Sequence, residues 1–403
     1  MRKRVYLNGF WNYKVGKKEM GKKLVPFSAL TVGKSECKRF FDKPDFGERF
    51  FVVFEGITYA AEVFLNGTFL GSMRAYGEYK FEITKLLKDK NNEIIVQLED
   101  MHVQFGPAEG WENYGGIIRD VYIDCRGKYI IEDAFFYSDI KLEEKSAVCH
   151  IDIKSDLPQD SIYNCTITDC DGSVIANHRT TDKNIRFMAE NIKLWSPNKP
   201  NLYTLYIETD YDIIIYKIGF KVLEKRGRQF YLNGEKIKDL GVNFVRLVHY
   251  PHNKKIIEIA DELGLLVTCE PGLWWSDMTN QEICKGSLDI LKNVIIRDRS
   301  HVSVAFWLSF NECRFTKEFI MDSARVAREN DHTRLISGAN CMNLEMTKEN
   351  FKKYGFDFYT MHPYTTKVDI YHQFADVLDD MPLIFTEWGE RKLMMHQYFW
   401  MNV

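Results

Sequence analysis

Short runs in which apolar and polar residues alternate occupy the first part of the chain. Residues 49–54, 61–65 and 93–98 have the two-residue period of half-buried strands and are bounded by turn residues. Asn66-Gly67 lies between two such runs and predicts a tight hairpin, because both residues tolerate the positive φ that the turn requires. We therefore predict a jelly-roll-like β-sandwich over residues 1–127.

The same pattern continues over residues 128–222. Strands are predicted at 147–153 and 201–207, and the block is about the length of one immunoglobulin-like domain of about 100 residues. We predict a second, immunoglobulin-like sandwich here.

From residue 223 onward, apolar strands alternate with amphipathic helices. Helices are predicted at 254–263 and 283–296, and strands at 243–249, 265–270, 302–310, 334–337, 356–361 and 383–387. Repeated strand–helix units predict a parallel sheet that closes as a (β/α) TIM-type barrel over residues 223–403. In such a barrel, the chemistry lies at the C-terminal ends of the strands.

Two of the predicted strands end in a glutamate. The run from Phe306 ends in Asn311-Glu312, and the run from Pro382 ends in Glu387. A single glutamate after a strand is usually a cap or an ion-pair partner. Two in matching positions favour a pair of carboxyl groups that face one glycosidic bond.

The composition narrows the class of protein. The 403 residues are 45% hydrophobic, enough for the cores of two or three domains. A formal net charge of -3 without long runs of like charge argues against nucleic acid or a membrane surface as the main partner. No stretch approaches the roughly 18 apolar residues of a membrane span, and the first residues lack the apolar centre of a signal peptide, so we expect a cytoplasmic protein.

The chain has nine cysteines, an odd number, and none has the Cys-x-x-Cys spacing of a metal site. We expect reduced thiols, no metal and no cofactor. Cys269 and Cys313 lie beside Glu270 and Glu312 but lack a flanking histidine, so we interpret them as packing residues.

Nine short motifs follow one another along the chain, at residues 54–56, 60–67, 114–120, 194–205, 243–251, 261–264, 297–301, 311–312 and 386–389. As an ordered set they resemble glycoside hydrolase family 2, the group of β-galactosidases, β-glucuronidases and β-mannosidases. The resemblance implies a sugar-binding-like first sandwich and an exo-acting retaining β-glycosidase, with a β-galactoside as the first candidate substrate and a β-glucuronide as the second. It implies that Glu312 is the general acid/base, that Glu387 is the nucleophile and that Asn311 binds the sugar 2-hydroxyl.

Further site residues follow from the same resemblance. His249 and Tyr250 would lie in the glycone pocket, unless His249 is only a satisfied structural histidine. Glu270 would bind sugar hydroxyls or form an ion pair. Tyr364, close to His362, would orient the nucleophile unless it only packs in the core. Trp388 would stack on the sugar unless it only closes the barrel as a lid.

Two aromatic features lie near the predicted cleft. Trp274 and Trp275 would form either an aglycone rim or loop anchors. The loop at 106–114, with Trp111 and Glu112, is expected at the rim of the cleft.

The chain departs from the family pattern in the barrel. A first strand and first helix are missing between Ile237 and the segment from Lys238, and only six barrel strands can be counted. An open barrel exposes sheet edges, which a homo-oligomer could cover. The alternative is a catalytically inactive carbohydrate-binding homologue. The Asn-x-Lys pair of β-glucuronidases does not occur between Glu387 and Val403, which mildly disfavours a glucuronide.

Overall fold

The computed structural model describes residues 2–28, 34–99, 115–237, 244–273, 276–314, 316–340, 344–365 and 367–387. Strand-rich layers come first and strand–helix units follow, in the order that the sequence predicts. The predicted domain boundaries, after residues 127 and 222, stay predictions.

The first layer is a β-sandwich of twelve strands. They are β1 (Lys3–Tyr6), β2 (Gly9–Val15), β3 (Lys18–Val25), β4 (Lys34–Phe41), β5 (Arg49–Phe54), β6 (Ile57–Thr58), β7 (Ala60–Leu65), β8 (Thr68–Arg74), β9 (Tyr79–Glu82), β10 (Asn92–Glu99), β11 (Gly116–Ile117) and β12 (Val121–Arg126). A four-stranded sheet, β1-β12-β5-β9, faces a six-stranded sheet, β3-β2-β4-β10-β7-β8, and β6 pairs with β11. Asn66 and Gly67 form the predicted hairpin between β7 and β8, with φ of 51° and 83°. Apolar residues of alternate strand positions, such as Trp11 and Phe54, fill the core.

The second layer is the immunoglobulin-like sandwich. Its strands are β13 (Ile131–Lys141), β14 (Ser146–Ser155), β15 (Tyr163–Thr168), β16 (Val174–Thr180), β17 (Asn184–Ala189), β18 (Trp195–Ser196), β19 (Lys199–Pro200), β20 (Tyr203–Glu208) and β21 (Ile213–Ile218). The sheet β13-β14-β17 and the sheet β16-β15-β20-β21 bury one core between them. The indole of Trp195 is fully buried and donates to the carbonyl of Asp261 at 2.9 Å, which joins this sandwich to the barrel.

The third part is a barrel, of which the described residues form six parallel strands. A small sheet, β22 (Leu223–Arg226), β23 (Gln229–Leu232) and β24 (Glu235–Lys236), precedes it. The barrel strands are β25 (Phe244–Arg246), β26 (Leu266–Cys269), β27 (Val304–Asn311), β28 (Leu335–Ala339), β29 (Tyr359–Met361) and β30 (Leu383–Phe385). The helices are α1 (Lys254–Leu263), α2 (Gln281–Asp298), α3 (Lys317–Asn330), α4 (Leu344–Asn350) and α5 (Val368–Val377).

The barrel strands are parallel and neighbour one another in chain order. β25 to β28 form one sheet, β29 pairs with β30, and a bridge between Asn340 and Met361 connects the two groups. Within the described ranges the barrel thus has the six strands that the sequence predicts. One apolar cluster fills the space between the sheet and the helices. A second cluster, which includes Phe230 of β23 and Phe306 of β27, lies against the small sheet.

Most predicted elements differ from the observed ones only at their ends. Helix α1 has the predicted range, because Asn253 caps its first turn and Gly264 ends it in the left-handed conformation, with φ 75°. The predicted strand at 243–249 is too long. Strand β25 ends at Arg246, and His249 lies in the loop that follows. No described helix is long and apolar enough to cross a membrane, and the eight described cysteines are free thiols.

Candidate active site

The C-terminal ends of the barrel strands bring polar side chains to one edge of the sheet. Asn311 is the last residue of β27 and Glu312 follows it, and Glu387 lies two residues after β30. The backbone N–H of Glu312 donates to the carbonyl of Ala339 on β28, so the turn after β27 is held against the next strand. Glu312 itself has φ 46°, a left-handed conformation that is unusual for a side-chain-bearing residue and is often found at functional sites.

The two predicted catalytic carboxyl groups lie side by side. One carboxyl oxygen of Glu312, one of Glu387 and a ring nitrogen of His362 all lie within 4.8 Å of one another. The side chain of Glu312 is 5% exposed and that of Glu387 is 19% exposed. Glu387 is therefore the more accessible of the two.

The hydroxyl of Tyr364 bridges the carboxyl pair. It lies 3.1 Å from Oε1 of Glu312 and makes a shorter contact, as donor, with Oε2 of Glu387. Burial raises the pKa of Tyr364, and the negative charges of Glu387 and Glu312 raise it further. The hydroxyl therefore keeps its proton and acts as a hydrogen-bond donor.

His362 is fully buried between the pair and the barrel interior. Its Nδ1 lies 2.5 Å from Oε1 of Glu312, and its Nε2 lies 2.9 Å from Oγ1 of Thr386 and 3.1 Å from Nη1 of Arg246. Because an arginine can only donate, Nε2 is the acceptor, and Nδ1 carries the hydrogen that it donates to Glu312.

Arg246, at the end of β25, connects three oxygen-bearing side chains. Its Nη1 donates to Oε1 of Glu387 at 2.5 Å, its Nη2 donates to Oδ1 of Asn311 at 2.5 Å, and its Nε donates to Oε1 of Glu270. The side chains of Arg246 and Glu270 are 6% and 1% exposed. Burial alone would disfavour both charges, but their attraction raises the pKa of Arg246 and lowers that of Glu270, so both are ionised.

Asn311 has one satisfied and one unsatisfied polar atom. Its Oδ1 accepts from Arg246, whereas its Nδ2 is buried without a hydrogen-bond partner among the described residues. An unsatisfied buried donor costs about 1–3 kcal/mol, so a bound group with an acceptor oxygen would be favoured here.

Of the other predicted site residues, His249 and Tyr250 are described by the structure and the rest are not. His249 lies at the site, with Nδ1 3.6 Å from Oε2 of Glu270 and Nε2 3.9 Å from Oε1 of Glu387. Tyr250 lies behind it and stacks on Tyr76 of the first sandwich, with 4.7 Å between the ring centroids. Three further predictions, on Trp388, on Trp274 with Trp275 and on the 106–114 loop, fall outside the described residues.

Sequence reasoning missed Arg246 and Thr386. Arg246 occupies an otherwise apolar strand, Phe244–Arg246, followed by Leu247-Val248. A charge in such a run requires a buried partner, and Glu270 at the end of the next strand was an available candidate. Thr386 directly precedes Glu387 and has no comparable signal.

A cation could in principle be held by Glu312, His362 and Glu387, given the spacing of their ligand atoms. The contacts of His362 and Tyr364 with the two carboxyl groups already explain why these atoms lie close together. The absence of a metal requirement therefore stays a prediction.

Three family models match the chain in the order of its layers. The description "Glycosyl hydrolase 2 galactose-binding domain-like" matches residues 36–108, "Glycosyl hydrolases family 2" matches 129–221, and "Glycosyl hydrolases family 2, TIM barrel domain" matches 232–400. The chain belongs to glycoside hydrolase family 2. The last match contains Glu312 and Glu387.

Similar proteins agree with this family. A β-galactosidase of Thermoanaerobacter pseudethanolicus is 27% identical over 396 residues, covering 80% of this chain and 53% of the relative. A β-galactosidase of Streptococcus thermophilus is 27% identical over 347 residues, covering 71% of this chain and 33% of the relative. The chain thus spans about half or less of the length of these relatives.

Solved structures of family 2 proteins share the fold. An FMN-binding β-glucuronidase of Facaelibacterium prausnitzii has a TM-score of 0.88 at 20% identity, covering 97% of this chain and 72% of that structure. A β-glucuronidase of an uncultured Clostridium sp. has a TM-score of 0.82 at 20% identity, covering 96% and 83%. All three layers of this family 2 chain therefore have a counterpart of known structure.

Proposed function

We propose that this family 2 protein is an exo-acting retaining β-glycosidase that hydrolyses a terminal β-linked sugar by double displacement. The observation that supports this mechanism most directly is the short distance, within 4.8 Å, between a carboxyl oxygen of Glu312 and one of Glu387. Retaining enzymes hold their carboxyl groups about 5–5.5 Å apart, whereas inverting enzymes need about 6.5–9.5 Å to admit a water molecule.

In the first proposed step, Glu387 attacks the anomeric carbon while Glu312 protonates the leaving oxygen and the glycosidic bond breaks. Arg246 and Tyr364 favour the nucleophilic role for Glu387, because one supplies a positive charge and the other a hydrogen bond to its second oxygen. In the second step, Glu312 removes a proton from water, the water oxygen bonds to the anomeric carbon, and the ester to Glu387 breaks.

The remaining roles follow from the contacts. The free Nδ2 of Asn311 can donate to the sugar 2-hydroxyl, an interaction that strengthens in the transition state. His249 is close enough to Glu387 to contact a sugar bound there. Glu270 is too buried to be a primary sugar ligand, and we assign it the ion pair with Arg246 instead. Trp388 lies outside the described residues, and its proposed role as a stacking face rests on the family resemblance alone.

We place a β-galactoside first and a β-glucuronide second as substrate. Relatives and structural neighbours include proteins named for both sugars. A glucuronide carboxylate needs a cationic partner, and the N–H groups of Arg246 already bind Glu270, Asn311 and Glu387. We expect the sugar to carry no charge for this reason.

The second candidate is an inactive carbohydrate-binding homologue. It is favoured by the open barrel, which has six strands among the described residues. The contacts of the carboxyl pair favour the enzyme, because a binding protein has no need to hold two acidic groups so close together.

The test is hydrolysis of a panel of aryl β-glycosides by the wild type, Glu387→Ala, Glu312→Ala and the surface control Glu262→Ala. Azide should partly rescue Glu387→Ala and give a glycosyl azide of inverted configuration, since the anion replaces the missing nucleophile. With an activated aryl leaving group, Glu312→Ala should accumulate the glycosyl-enzyme and give, with azide, a product of retained configuration.

The control Glu262→Ala should retain wild-type rates. Loss of activity by several powers of ten in both site variants would support the proposal, since general acid–base groups alone contribute about 10²- to 10⁴-fold. Turnover that survives both substitutions would refute it. A folded wild type that binds sugar without hydrolysing any substrate of the panel would support the binding homologue.

A further inference from the structure

The loop at residues 247–251, between β25 and α1, touches the candidate site on one side and the first sandwich on the other. Toward the site, Nε2 of His249 lies 3.9 Å from Glu387. Toward the sandwich, the ring of Tyr250 stacks on Tyr76, and the carbonyl of Pro251 accepts a hydrogen bond from Arg119. A substitution in the sandwich that removes either of these two contacts can therefore alter the position of His249.

Arg119 joins the first sandwich to the 247–251 loop of the barrel by donating to backbone carbonyls of both. Its Nη1 donates to the carbonyls of Glu55 and Tyr76 in the sandwich, at 3.2 and 3.1 Å, and its Nη2 donates to that of Pro251 in the loop. Burial, followed by repulsion from Arg297, lowers the pKa of Arg119 to about 10. A charge kept in such a place, bonded to neutral carbonyls, fixes the relative position of the segments that carry them.

The side chain of Arg119 is held in this position by its packing. A Cβ placed on Gly56 would lie 3.0 Å from Cδ and 3.3 Å from Nε of Arg119, so the arginine passes directly over the backbone of Gly56. A side chain at position 56 would require Arg119 to move by a few tenths of an ångström.

Tyr76 is also fixed independently of the loop. It is 2% exposed, has φ 62°, and its N–H donates to the carbonyl of Ile57 at 2.9 Å. Tyr59 contacts its ring edge-on, with centroids 6.1 Å apart. A non-glycine residue keeps a left-handed backbone only where its surroundings hold it there. Tyr76 is thus a rigid surface on which Tyr250 lies, at an interplanar angle of 30°.

We propose that Arg119 and Tyr76 are positioning residues for the glycone pocket: from the first sandwich, they hold the 247–251 loop so that His249 stays beside Glu387. The inference rests on the proposed function, in which His249 contacts the terminal sugar. Neither residue touches the carboxyl pair in the described contacts. Their loss should weaken sugar binding more than it slows the chemical step, since Glu312, Glu387 and Arg246 remain in place.

The variants separate positioning from folding. Arg119→Met removes the donors at similar length, and Arg119→Lys keeps the charge and part of the bonding. In Tyr76→Asn, the asparagine can adopt the left-handed backbone but the aromatic ring is lost. Tyr76→Phe keeps the aromatic ring. The matched control is Arg74→Met, because Arg74 also joins the sandwich to the barrel but packs on Gly286 of α2, away from the loop.

We expect KM for an aryl β-glycoside to rise about 10- to 100-fold in Arg119→Met and Tyr76→Asn, the size expected for one lost hydrogen bond to the sugar. The change in kcat should be smaller, because a contact made equally in the ground state and the transition state affects KM and not kcat. Arg119→Lys should lie between Arg119→Met and the wild type, and Tyr76→Phe should resemble the wild type. Arg74→Met should leave KM unchanged. An unchanged KM in Arg119→Met, or an equal rise in Arg74→Met, would overturn the proposal.

Hydrogen exchange tests the same inference without activity. In Arg119→Met, the amides of residues 247–250 and of His252 should exchange faster than in the wild type, while the core strands of both sandwiches keep their protection. Arg74→Met should not show this local change. If the wild type hydrolyses nothing, the proposed function fails but the exchange result still decides the positioning role. Unchanged exchange at the amides of residues 247–250 and of His252 in Arg119→Met, or faster exchange throughout the sandwich, would refute it. If Arg119→Met does not fold, the comparison is made with Arg119→Lys.

Discussion

Replacement of Arg246 by methionine is the perturbation whose consequences the structure specifies most fully. Methionine keeps an unbranched chain but removes every donor. Glu270, whose side chain is 1% exposed, would keep His249 as its basic neighbour among the described residues, at 3.6 Å. Asn311 would lose the donor to its Oδ1, and Glu387 would lose the donor to its Oε1.

The expected cost is large because a buried carboxylate remains without its partner. Removing one member of a buried ion pair typically lowers the free energy of unfolding by about 3–5 kcal/mol. We expect a loss of this size in the unfolding transition of the barrel. We also expect kcat to fall by about 10²- to 10³-fold, as when one preorganised donor to a reacting group is removed.

Urea unfolding followed by tryptophan fluorescence measures the loss, with Trp307 buried in the barrel as one reporter. Glu270→Gln and the double variant Arg246→Met/Glu270→Gln complete a double-mutant cycle. Because both charges are absent in the double variant, it should be more stable than the sum of the single losses predicts, by about 0.5–3 kcal/mol. The control Arg325→Met removes an exposed arginine with two acidic partners and should leave stability unchanged.

The lowered pKa of Glu270 adds a pH dependence to this prediction. A carboxyl group with a lowered pKa stabilises the fold fully above its ordinary value of 4.5, and this contribution is lost as the pH falls through the lowered pKa. The stability difference between the wild type and Glu270→Gln should therefore shrink below about pH 4.5. A stability loss below about 1 kcal/mol in Arg246→Met, or strict additivity in the cycle, would show that the ion pair does not hold the site together.

Three further predictions concern single contacts. Tyr364→Phe should lower kcat by about 10²- to 10³-fold. Because the raised pKa keeps the hydroxyl of Tyr364 protonated, this loss should be constant up to pH 9. A loss confined to high pH would contradict the prediction. Asn311→Ala should lower kcat/KM about 10²-fold for a substrate with a 2-hydroxyl and should change kcat/KM little for the 2-deoxy analogue of that substrate. Equal losses of kcat/KM on both substrates would argue against the contact with the 2-hydroxyl. Burial lowers the pKa of His301, but the carboxylate of Asp261 raises it more, so the pKa lies above its ordinary value of 6.5. The contribution of His301 to the stability of the fold is therefore full below pH 6.5 and is lost as the pH rises through the raised pKa. The urea midpoints of the wild type and His301→Gln should accordingly differ more at pH 5.5 than at pH 9.

The parts of the fold that follow from local sequence were predictable. Helix α1 begins after Asn253 and ends before Gly264 because a side-chain cap and a left-handed glycine act within one turn. The hairpin at Asn66-Gly67 is equally local. The juxtaposition of Glu312 and Glu387 was predictable too, since the C-terminal ends of parallel strands meet at one edge.

The contacts that hold the site in place could not be read from such patterns. Strand β25 ends at Arg246, and the predicted strand was longer because Leu247 and Val248 continue its apolar character. The stacking of Tyr250 on Tyr76 joins residues from different layers, and no local period indicates it. The sequence allows Glu270 to be a sugar ligand or an ion-pair partner, and no local pattern indicates that Arg246 lies against it.

The proposed division of roles between the two glutamates also has a basis in electrostatics. Two negative charges within 4.8 Å repel each other by at least about 3.5 kcal/mol at the effective dielectric constant of about 20 that suits protein sites. A single proton on one of them removes this repulsion. Arg246 contacts Glu387, which is also the more exposed carboxyl group, Glu312 contacts His362, and Tyr364 contacts both glutamates. The positive charge of Arg246 thus lies against Glu387, the carboxyl group to which the proposal assigns the nucleophilic attack.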